Sequence, residues 1–531
     1  MPKKLILKEL SRYKIGTYAD VIYRQALLRP EQEAFIYGTE RVTFAEFNNR
    51  VNSLIHALWS MRVKKGDVLG VLSWNCLEYI DVYGAALKGG FIISPFNARL
   101  KANELDYLIN YSEANTLFVG PELFDMANSL RSRLPKVEHY ISFEGIAHEM
   151  SCHRELVAAY SKEEPDIQVE EDDPIFIIYT SGTTGVPRGA LYTHRCSMEE
   201  TRNKALDKAL EPGDTYALIM PLFHIVTSEM LIFFFVGGKS VIVKFFDPAA
   251  ILRIIQEEKA TDTFIVPTHL ASILALPDLQ KYDFSSMKRI TYGGSPMPLE
   301  LLKKGMKHCG PIFFQAYGQT ESGPSIAHLR KESHQVAVNI PEEQKVLTSC
   351  GQPCIGTHLR IVDDKGNDVE PGEIGEITVQ SRHNMVEFWH KPEDTHATII
   401  DGWLHTGDMG YYDEKGFVYI VDRKRDMIIS GGENIYSREV EDVIYGHPSV
   451  QEVAVIGIPD PYWVERVHAL VTVKQGKNLT ADEVVTFCKL RLAGYKAPKS
   501  AEIIDSLPKN PTGKILKREL RAKYWEGVKR N

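Results

Sequence analysis

The stretch Tyr179-Thr-Ser-Gly-Thr-Thr-Gly-Val-Pro-Arg-Gly189 directly follows the apolar run Pro174-Ile-Phe-Ile-Ile178. The short apolar run predicts a buried strand. The loop after it is rich in glycine and hydroxyl side chains. Glycines let backbone amides approach phosphate oxygens, and hydroxyls add further donors. The loop lacks the Gly-Lys-Ser/Thr of a Walker A motif. The stretch therefore predicts a polyanion site at the end of a strand.

Helical and strand patterns alternate on both sides of this loop. Residues 44–61 predict an amphipathic helix, with Thr43 as N-cap and Glu46 completing a capping box. The other predicted elements are strands at 67–72, 115–119 and 263–266 and a helix at 76–87. Such alternation indicates helices layered on largely parallel sheets, which is an α/β fold.

The length and type of the predicted elements change in the second half of the sequence. Short strands separated by turn residues at 351–380 predict hairpins or a small barrel-like unit. A new alternation begins at Asp426, with helices at 437–445 and 481–492 and strands at 450–457 and 469–473. A chain of 531 residues is too long for one core. We therefore predict two domains, 1–424 and 425–531, joined near Asp422-Arg-Lys-Arg-Asp426.

The composition limits the class of protein. Hydrophobic residues make up 44% and charged residues 25%, as in soluble globular proteins, and the net charge of −8 argues against a nucleic-acid partner. Residues 1–14 are basic, which leaves a weak peripheral membrane contact open. The basic segment 509–531 fits either a solvated helix face or a surface for a phosphorylated ligand.

No targeting or spanning segment is expected. The most apolar stretch, 230–236, is too short to cross a bilayer, and the first residues do not form a secretory signal. Seven scattered cysteines suit a reducing cytosol, so we expect a cytoplasmic protein. Cys350 and Cys354 are interpreted as structural, since nothing nearby completes a zinc site.

Three further strings carry chemistry. Ala316-Tyr-Gly-Gln-Thr-Glu-Ser-Gly323 combines an aromatic face for a purine with a carboxylate for Mg²⁺, a hard ion that prefers oxygen ligands. Gly402-Trp-Leu-His-Thr-Gly-Asp408 offers a carboxylate suited to two ribose hydroxyls. Pro508-Lys-Asn-Pro-Thr-Gly-Lys-Ile-Leu516 presents Lys514 after a turn.

Together, in this order, these strings resemble the adenylate-forming superfamily of acyl-CoA synthetases, peptide-synthetase adenylation domains and beetle luciferases. The resemblance covers essentially the whole chain. It implies a large N-terminal domain of layered α/β sheets with a distorted β-barrel, and a small mobile α+β C-terminal domain. It also implies ATP, Mg²⁺ and coenzyme A as cofactors or co-substrates. Dimers are frequent in the family, which leans towards a homodimer.

The resemblance implies a two-step reaction. A carboxylate attacks the α-phosphorus of ATP to give an acyl-adenylate and pyrophosphate, and a thiol then displaces AMP. Lys514 would bridge the carboxylate and the α-phosphate, Glu321 would hold Mg²⁺, and Thr184 would lie near the phosphates, with His224 at the active site. The implied nucleotide contacts are Thr180, Ser181, Gly182, Thr183, Thr184, Gly185, Arg188, Gly293, Gly294, Ser295, Tyr317, Gly318, Thr320, Asp408, Arg423 and Lys514.

The acyl pocket is also assigned by resemblance. Its implied lining is Ile225, Val226, Met230, Gly294, Gly318, Pro324 and Ser325. We expect Gly318 to leave space there. The set is apolar, which favours a medium- to long-chain fatty acid over an aromatic or cyclic acid.

The second step implies a different face of the small domain. Arg425 would be the hinge residue, where the family usually has Asp or Lys. Gly431 and Gly432 would line the path of the pantetheine, and Lys496 is a candidate for the CoA phosphates. Arg188 is a second departure, since the family usually has Lys there, and a planar guanidinium differs from a point charge.

Three functions compete at this point. Amino-acid activators that load a carrier protein usually carry Phe-Asp where this chain has Phe223-His224, and no carrier domain is expected after Lys514. A luciferase-like role is not required by any residue. The sequence therefore favours an acyl-CoA ligase, with transfer to a carrier protein as the alternative.

Overall fold

A computed structural model describes residues 7–145, 149–180, 187–431, 433–509 and 515–526. Its strands are β1 Glu33–Tyr37, β2 Glu40–Thr43, β3 Val68–Leu72, β4 Ile92–Phe96, β5 Thr116–Val119, β6 His139–Ser142, β7 Ser151–Cys152, β8 Pro174–Thr180, β9 Arg188–Thr193, β10 Thr215–Leu218, β11 Lys239–Ile242, β12 Asp262–Ile265, β13 Arg289–Gly293, β14 Phe313–Tyr317, β15 Ala327–Leu329, β16 Gln352–Pro353, β17 Thr357–Val362, β18 Gly375–Ser381, β19 Glu387–Phe388, β20 Ile399–Ile400, β21 Trp403–Tyr412, β22 Val418–Arg423, β23 Ile428–Ser430, β24 Glu433–Ile435, β25 Val450–Asp460, β26 Val464–Val473 and β27 Ser500–Ile503.

The α-helices alternate with these strands over much of the chain. They are α1 Tyr18–Leu28, α2 Phe44–Ser60, α3 Leu77–Gly89, α4 Ala102–Ser112, α5 Phe124–Leu130, α6 His153–Ala159, α7 His194–Asp207, α8 Ser228–Val236, α9 Pro248–Glu257, α10 Pro267–Leu274, α11 Leu299–Cys309, α12 Lys331–Asn339, α13 Pro392–Thr398, α14 Ser437–Tyr445, α15 Ala481–Lys489 and α16 Lys517–Ala522. Short 3₁₀ turns include Ile225–Thr227 and Thr320–Ser322.

The chain divides into two compact units. The first contains Met1–Leu359 and Val379–Leu404, and the second contains Arg360–Thr378 and His405–Asn531. This division describes packing and falls at other residues than the boundary predicted at 424/425. A hinge at Arg425 concerns motion, so it stays a prediction.

The first unit is built on two large sheets. One has nine strands in the order β16-β15-β14-β13-β12-β10-β11-β1-β2, and the other has eight in the order β19-β9-β8-β4-β3-β5-β6-β7. Strands β10 to β14 are paired in parallel in the first sheet, as are β3, β4, β5 and β6 in the second. The predicted α/β class is confirmed.

The second unit is smaller and has its own core. Strands β24, β23, β26 and β25 lie side by side, and β27 pairs with β26 in parallel. Val440 and Ile444 of α14 are buried in one cluster with Val455 and Val467 of the sheet. This α+β arrangement agrees with the predicted small C-terminal domain.

Local signals in the sequence placed several elements well. Helix α2 begins after Thr43, whose hydroxyl accepts from the Glu46 N–H at 3.2 Å while the Glu46 carboxylate accepts from the Thr43 N–H at 2.8 Å.

Strand β26 begins at Val464, earlier than predicted, because it pairs with β25 up to Asp460. Tertiary pairing therefore extended a strand that local preference alone would have ended.

The apolar segment predicted to be too short for a bilayer forms most of helix α8. Its residues Ser228 to Phe234 are buried in the first unit. Among the described residues, no helix combines the length and the apolarity needed to span a membrane.

Candidate functional site

The predicted polyanion loop connects two paired strands. Strands β8 and β9 are antiparallel, with Thr180 opposite Arg188. The loop residues Ser181, Gly182, Thr183, Thr184 and Gly185 lie outside the described residues. At the edge of the loop, the Thr180 hydroxyl is buried and has no hydrogen-bond partner in the described part of the chain. A buried unpaired hydroxyl is destabilising by about 1–3 kcal/mol, which a ligand oxygen could relieve.

Arg188 is held by groups from a distant part of the sequence. Its guanidinium carbon lies 4.1 Å from the centre of the Phe388 ring, because β19 pairs with β9. Its nitrogens lie 3.9 Å from a carboxylate oxygen of Glu321 and 3.7 Å from one of Asp394. Both distances are too long for hydrogen bonds. The planar fork is therefore oriented and retains donors for a phosphate.

Glu321 is presented by a loop that a buried tyrosine fixes in place. The loop begins after β14 and contains the 3₁₀ turn Thr320–Ser322. The hydroxyl of Tyr192, on β9, donates to the Thr320 carbonyl and accepts from the Gly323 N–H at 2.8 Å. The Glu321 carboxylate makes no hydrogen bond within the described residues and stays near Arg188. An available carboxylate beside a polyanion loop fits the oxygen donors that Mg²⁺ prefers.

The two glycine positions beside this loop are explained by backbone contact. Strands β13 and β14 are parallel, with Gly293 opposite Ala316, and a Cβ on Gly293 would lie 2.4 Å from the Ala316 carbonyl oxygen. Gly294 has φ +76° and Ser295 after it is exposed. Tyr317 ends β14 and is 8% exposed. This strand end brings together the residues predicted to meet a purine.

Gly318 does not have the role that we expected. A Cβ there would lie 2.4 Å from the carbonyl carbon of Pro324 and 2.6 Å from the backbone nitrogen of Ser325. The glycine therefore permits two backbone segments to touch, and it leaves no space for a substrate. Ser325 itself is 2% exposed, and its hydroxyl has no partner among the described residues.

The His224 loop is fixed by hydrogen bonds to its backbone. Asn75 accepts from the Leu222 N–H at 2.8 Å and donates to the Met220 carbonyl at 3.0 Å. Burial, together with the charge of Arg99, lowers the pKa of His224 to about 4. The imidazole is therefore neutral at pH 7 and a weak base, in agreement with the absence of an assigned general-base role.

A small cavity lies behind His224, between helices α7 and α8, and we call it the α7–α8 cavity. Ile225 lines it, whereas Met230 is 2% exposed and belongs to the hydrophobic core. Val226 also packs against that core. The lining of the α7–α8 cavity is Tyr83, Phe176, Ile178, Tyr192, Ser197, Glu200, His224, Ile225, Thr227, Ser228 and Leu231.

The second unit places Asp408 opposite Arg423 across the antiparallel pair β21 and β22. Arg423 Nε lies 3.2 Å from Asp408 Oδ1, and Asp408 is 5% exposed. The Thr406 hydroxyl accepts from the Asp408 N–H at 3.0 Å, which fixes the turn before the carboxylate. The two residues predicted to act together on the ribose are thus in direct contact.

The residues predicted for the CoA step differ in their surroundings. Arg425 lies in the turn between β22 and β23. Gly431 has φ +61°, and a Cβ there would lie 2.6 Å from the Trp463 ring. Lys496 Nζ lies 2.7 and 2.8 Å from the two carboxylate oxygens of Glu439, so its charge is already paired. Gly432 and Lys514 lie outside the described residues.

Sequence reasoning missed Tyr192, Phe388, Asn75 and Glu200. None stands in a motif. Each becomes relevant through a contact between segments that are far apart in the chain. A buried tyrosine at the end of an apolar strand gave no separate signal, and the polar sequence of α7 gave no signal that one of its faces would be buried.

Comparisons with known proteins agree with this geometry. Residues 22–389 match the AMP-binding enzyme family, and residues 439–514 match the AMP-binding enzyme C-terminal domain. A feruloyl-CoA synthase of Amycolatopsis sp is 36% identical over 504 residues, covering 94% of this chain and 98% of that protein. A medium/long-chain-fatty-acid–CoA ligase of Mycobacterium tuberculosis is 32% identical over 521 residues, covering 95% and 90%.

A solved structure extends the similarity to the fold. The anthranilate CoA ligase AuaEII in complex with anthranoyl-AMP superposes with a TM-score of 0.85 at 26% identity, covering 98% of this chain and 99% of that one. The predicted family is confirmed. The chain belongs to the AMP-binding enzymes and, within them, to the AMP-forming acyl-CoA synthetases.

Proposed function

We propose that the protein activates an apolar carboxylic acid with ATP and transfers the acyl group to coenzyme A. The products are the thioester, AMP and pyrophosphate. One observation carries this proposal: the unpaired Thr180 hydroxyl, the loosely paired Arg188 and the available Glu321 carboxylate lie around one loop. That set offers both signs of charge to a metal-bound triphosphate.

In the first step, a carboxylate oxygen of the acid attacks the α-phosphorus, and the bond to the pyrophosphate oxygen breaks. Two like charges approach each other, which at 4 Å costs about 4 kcal/mol near a protein surface. Arg188 and Thr180 would hold the β- and γ-phosphates, and Lys514 would neutralise the reacting oxygens. Glu321 would hold Mg²⁺, which supplies further positive charge at the phosphates when bound.

The nucleoside would be held by separate groups. Tyr317, with Gly293 and Gly294 beside it, would pack on the adenine. Asp408 would accept from the ribose hydroxyls, and Arg423 at 3.2 Å orients that carboxylate. These groups would hold the α-phosphorus in a fixed position relative to the acid. Such positioning of two reacting groups increases the rate.

In the second step, the CoA sulfur attacks the acyl carbon and the bond to AMP breaks. An unperturbed thiol has a pKa of about 8.5 and is already a few per cent thiolate at neutral pH. No strong base is therefore needed, in keeping with the weakly basic His224. Arg425 would be the hinge between the two steps. Gly431 and Gly432 would allow close approach of the pantetheine.

The acid is proposed to be a medium- to long-chain fatty acid. A medium/long-chain-fatty-acid–CoA ligase is 32% identical to this chain. The α7–α8 cavity, about 10 Å³ in volume and walled by Phe176, Ile178 and Leu231, would take only the end of such a tail. An aromatic acid is the second candidate, because a feruloyl-CoA synthase is 36% identical to this chain. One methylene changes discrimination by only about 1–3 kcal/mol, so a series of acids should react.

The test is CoA-dependent conversion of ATP to AMP and pyrophosphate with acids from acetate to palmitate, together with benzoate, cinnamate and amino acids. Thioesters are identified by mass. A CoA thioester from one group of acids is the expected result. Pyrophosphate release that never yields a CoA thioester would contradict CoA as acceptor and would point to a carrier protein.

A further inference from the structure

Helix α7 buries charged side chains although its sequence is polar. Glu200 is 3% exposed and Lys204 is 2% exposed. Charged residues are rarely buried unless they are paired. Lys204 is paired, since its Nζ lies 2.6 Å from Glu229 Oε1. Glu200 is not closely paired, because the same Nζ lies 3.9 Å from its Oε1.

Glu200 has one carboxylate oxygen that is not used by the protein. Oε1 accepts from the Ser228 hydroxyl at 3.1 Å. Oε2 makes no hydrogen bond within the part of the chain that the structure describes. The side chain lines the α7–α8 cavity, whose other walls include Phe176 and Leu231. A single buried acceptor is thus offered inside a largely apolar space.

The hydroxyl groups of the cavity are already engaged with other protein groups. The Ser228 hydroxyl donates to Glu200 itself, and the other four hydroxyls bond to backbone groups or to residues outside the lining. The pairs are Tyr83 with Leu222, Thr227 with Leu222 and His224, Tyr192 with Thr320 and Gly323, and Ser197 with Tyr18. Glu200 is therefore the carboxylate of this lining, and its Oε2 is a stronger acceptor than the neutral His224 ring or a hydroxyl that already donates.

The buried charges behind Glu200 balance without any ligand. A chain of ion pairs leads away from the cavity to the half-exposed Lys288. With Glu200 ionised it contains four acids and four bases, which are Glu200, Glu229, Asp262 and Asp214 against Lys204, Lys208, Arg289 and Lys288. A cationic ligand would leave this set with an excess positive charge, whereas a neutral donor would not.

Burial also disfavours the ionised form of Glu200. It raises the pKa of the carboxyl to about 7, against the opposing charge of Lys204 and with a smaller contribution from Glu229. A hydrogen bond to the carboxylate would favour the ionised form. A purely hydrocarbon tail in the cavity would instead leave Oε2 buried without a partner, which is unfavourable.

We propose that Glu200 is a specificity-determining residue that accepts a hydrogen bond from a hydroxyl group on the tail of the acid substrate. This inference rests on the proposed acyl-CoA ligase function and deepens it. Both candidate classes can carry such a hydroxyl: a hydroxylated fatty acid or a hydroxylated aromatic acid. The shared chemistry is an otherwise apolar acid with one neutral donor.

Two matched pairs of acids test the inference with the purified full-length protein. They are octanoate against 8-hydroxyoctanoate and cinnamate against 4-hydroxycinnamate, compared by kcat/KM for CoA thioester formation. We expect the hydroxylated acid to be preferred by roughly tenfold or more in at least one pair. The pair that shows it distinguishes an aliphatic from an aromatic substrate. Equal values within both pairs would overturn the proposal.

Substitution of Glu200 separates recognition from folding. Glu200→Leu should reduce the preference to near one, and Glu200→Gln, which keeps a carbonyl acceptor, should retain part of it. Lys288→Ala is the control: it changes the half-exposed end of the same ion-pair chain and does not line the cavity, so the ratio should persist. A preference that survives in Glu200→Leu would overturn the proposal. If Glu200→Leu does not fold, the preference of Glu200→Gln for the hydroxylated acid is compared with that of the wild type, and an undiminished preference would overturn the proposal.

Failure of the proposed function gives a different result. If no acid of either pair, nor any acid of the wider panel, gives AMP and pyrophosphate, the ligase function fails and the inference falls with it. If octanoate and 8-hydroxyoctanoate, and likewise cinnamate and its hydroxylated partner, are converted equally well, the function stands and only the role of Glu200 is rejected.

Discussion

The two sides of the site in the first unit are built in different ways. On the phosphate side, defined here by Thr180, Arg188 and Glu321, polar groups are left loosely paired and ready for a ligand. On the proposed acyl side, the α7–α8 cavity is backed by ion pairs as short as 2.6 Å that are sealed from water. In the proposed reaction, the first side would exchange its partners for those of the ligand. The second keeps its own partners and offers one spare oxygen.

The largest effect should come from the residue proposed to neutralise the reacting oxygens. Lys514→Ala should lower the rate of adenylate formation by about 10³-fold, since a preorganised cation at developing charge is removed. Thioester formation from preformed acyl-adenylate should change little. Pyrophosphate release and single-turnover thioester formation measure the two steps. Lys509→Ala, which loses a surface pair with Glu452, is the control. Equal loss in both steps would contradict the two-conformation interpretation.

The chain of buried ion pairs behind the α7–α8 cavity can be interrupted at Lys208. Its Nζ lies 2.7 Å from Glu229 and 3.0 Å from Asp262, all fully buried. Lys208→Met should therefore lower the free energy of unfolding by about 3 kcal/mol or more. Denaturant unfolding measures this. Lys303→Met, at a surface pair with Glu300, should cost less than about 1 kcal/mol. Similar losses of unfolding free energy in both variants would show that the buried ion pairs contribute no more to stability than a surface pair does.

The raised pKa of Glu200 predicts a pH dependence of stability. The folded protein holds this proton up to a pKa of about 7, whereas the unfolded chain releases it near the ordinary value of 4.5. The folded state therefore binds more protons between these values, and its stability relative to Glu200→Gln should fall as pH rises from about 4.5 to 7. The total change should be about 2–3 kcal/mol.

Chemical denaturation of the two proteins at several pH values measures this difference. Other titrating groups remain in both proteins, so their contributions largely cancel in the comparison. A difference that is constant from pH 4.5 to 7, or one that grows in favour of the wild type, would contradict the raised pKa.

The smallest effect should come from Glu321 on the phosphate side. Glu321→Gln keeps the shape of the side chain but removes its charge, so adenylate formation should fall by about 10- to 100-fold and need more Mg²⁺. Titration of pyrophosphate release with MgCl₂ measures both. Glu300→Gln on the surface of α11 is the matched control. An unchanged Mg²⁺ requirement in Glu321→Gln would argue against metal binding there.

The same contrast explains how far the sequence could predict the molecule. Strand β8, the loop after it and the string 316–323 were predicted because their chemistry is concentrated in short contiguous strings. The capping box at Thr43 was readable for the same reason. Such signals are local, and local signals can be read without knowing which segments meet.

The parts that could not be predicted depend on contacts between distant segments. Phe388 reaches Arg188 only because β19 pairs with β9, some 200 residues away in sequence. Gly318 was expected to leave space, but backbone from Pro324 occupies it. Helix α7 is polar, so no hydrophobic pattern indicated that Glu200 would be buried. In each case the deciding quantity is a tertiary distance, which periodicity does not contain.

The chain of buried ion pairs also has a consequence for the history of this sequence. Removing one member leaves its neighbours as unpaired buried charges. Replacing a matched pair by apolar residues can instead be neutral or stabilising. Selection should therefore remove single substitutions at Lys208, Asp262 or Arg289, whereas it should tolerate the simultaneous replacement of both members of a pair. Among descendants of a common ancestor we expect these positions to change together or stay fixed together. Glu200, at the cavity end, should instead change with the substrate, because Lys204 is already paired with Glu229.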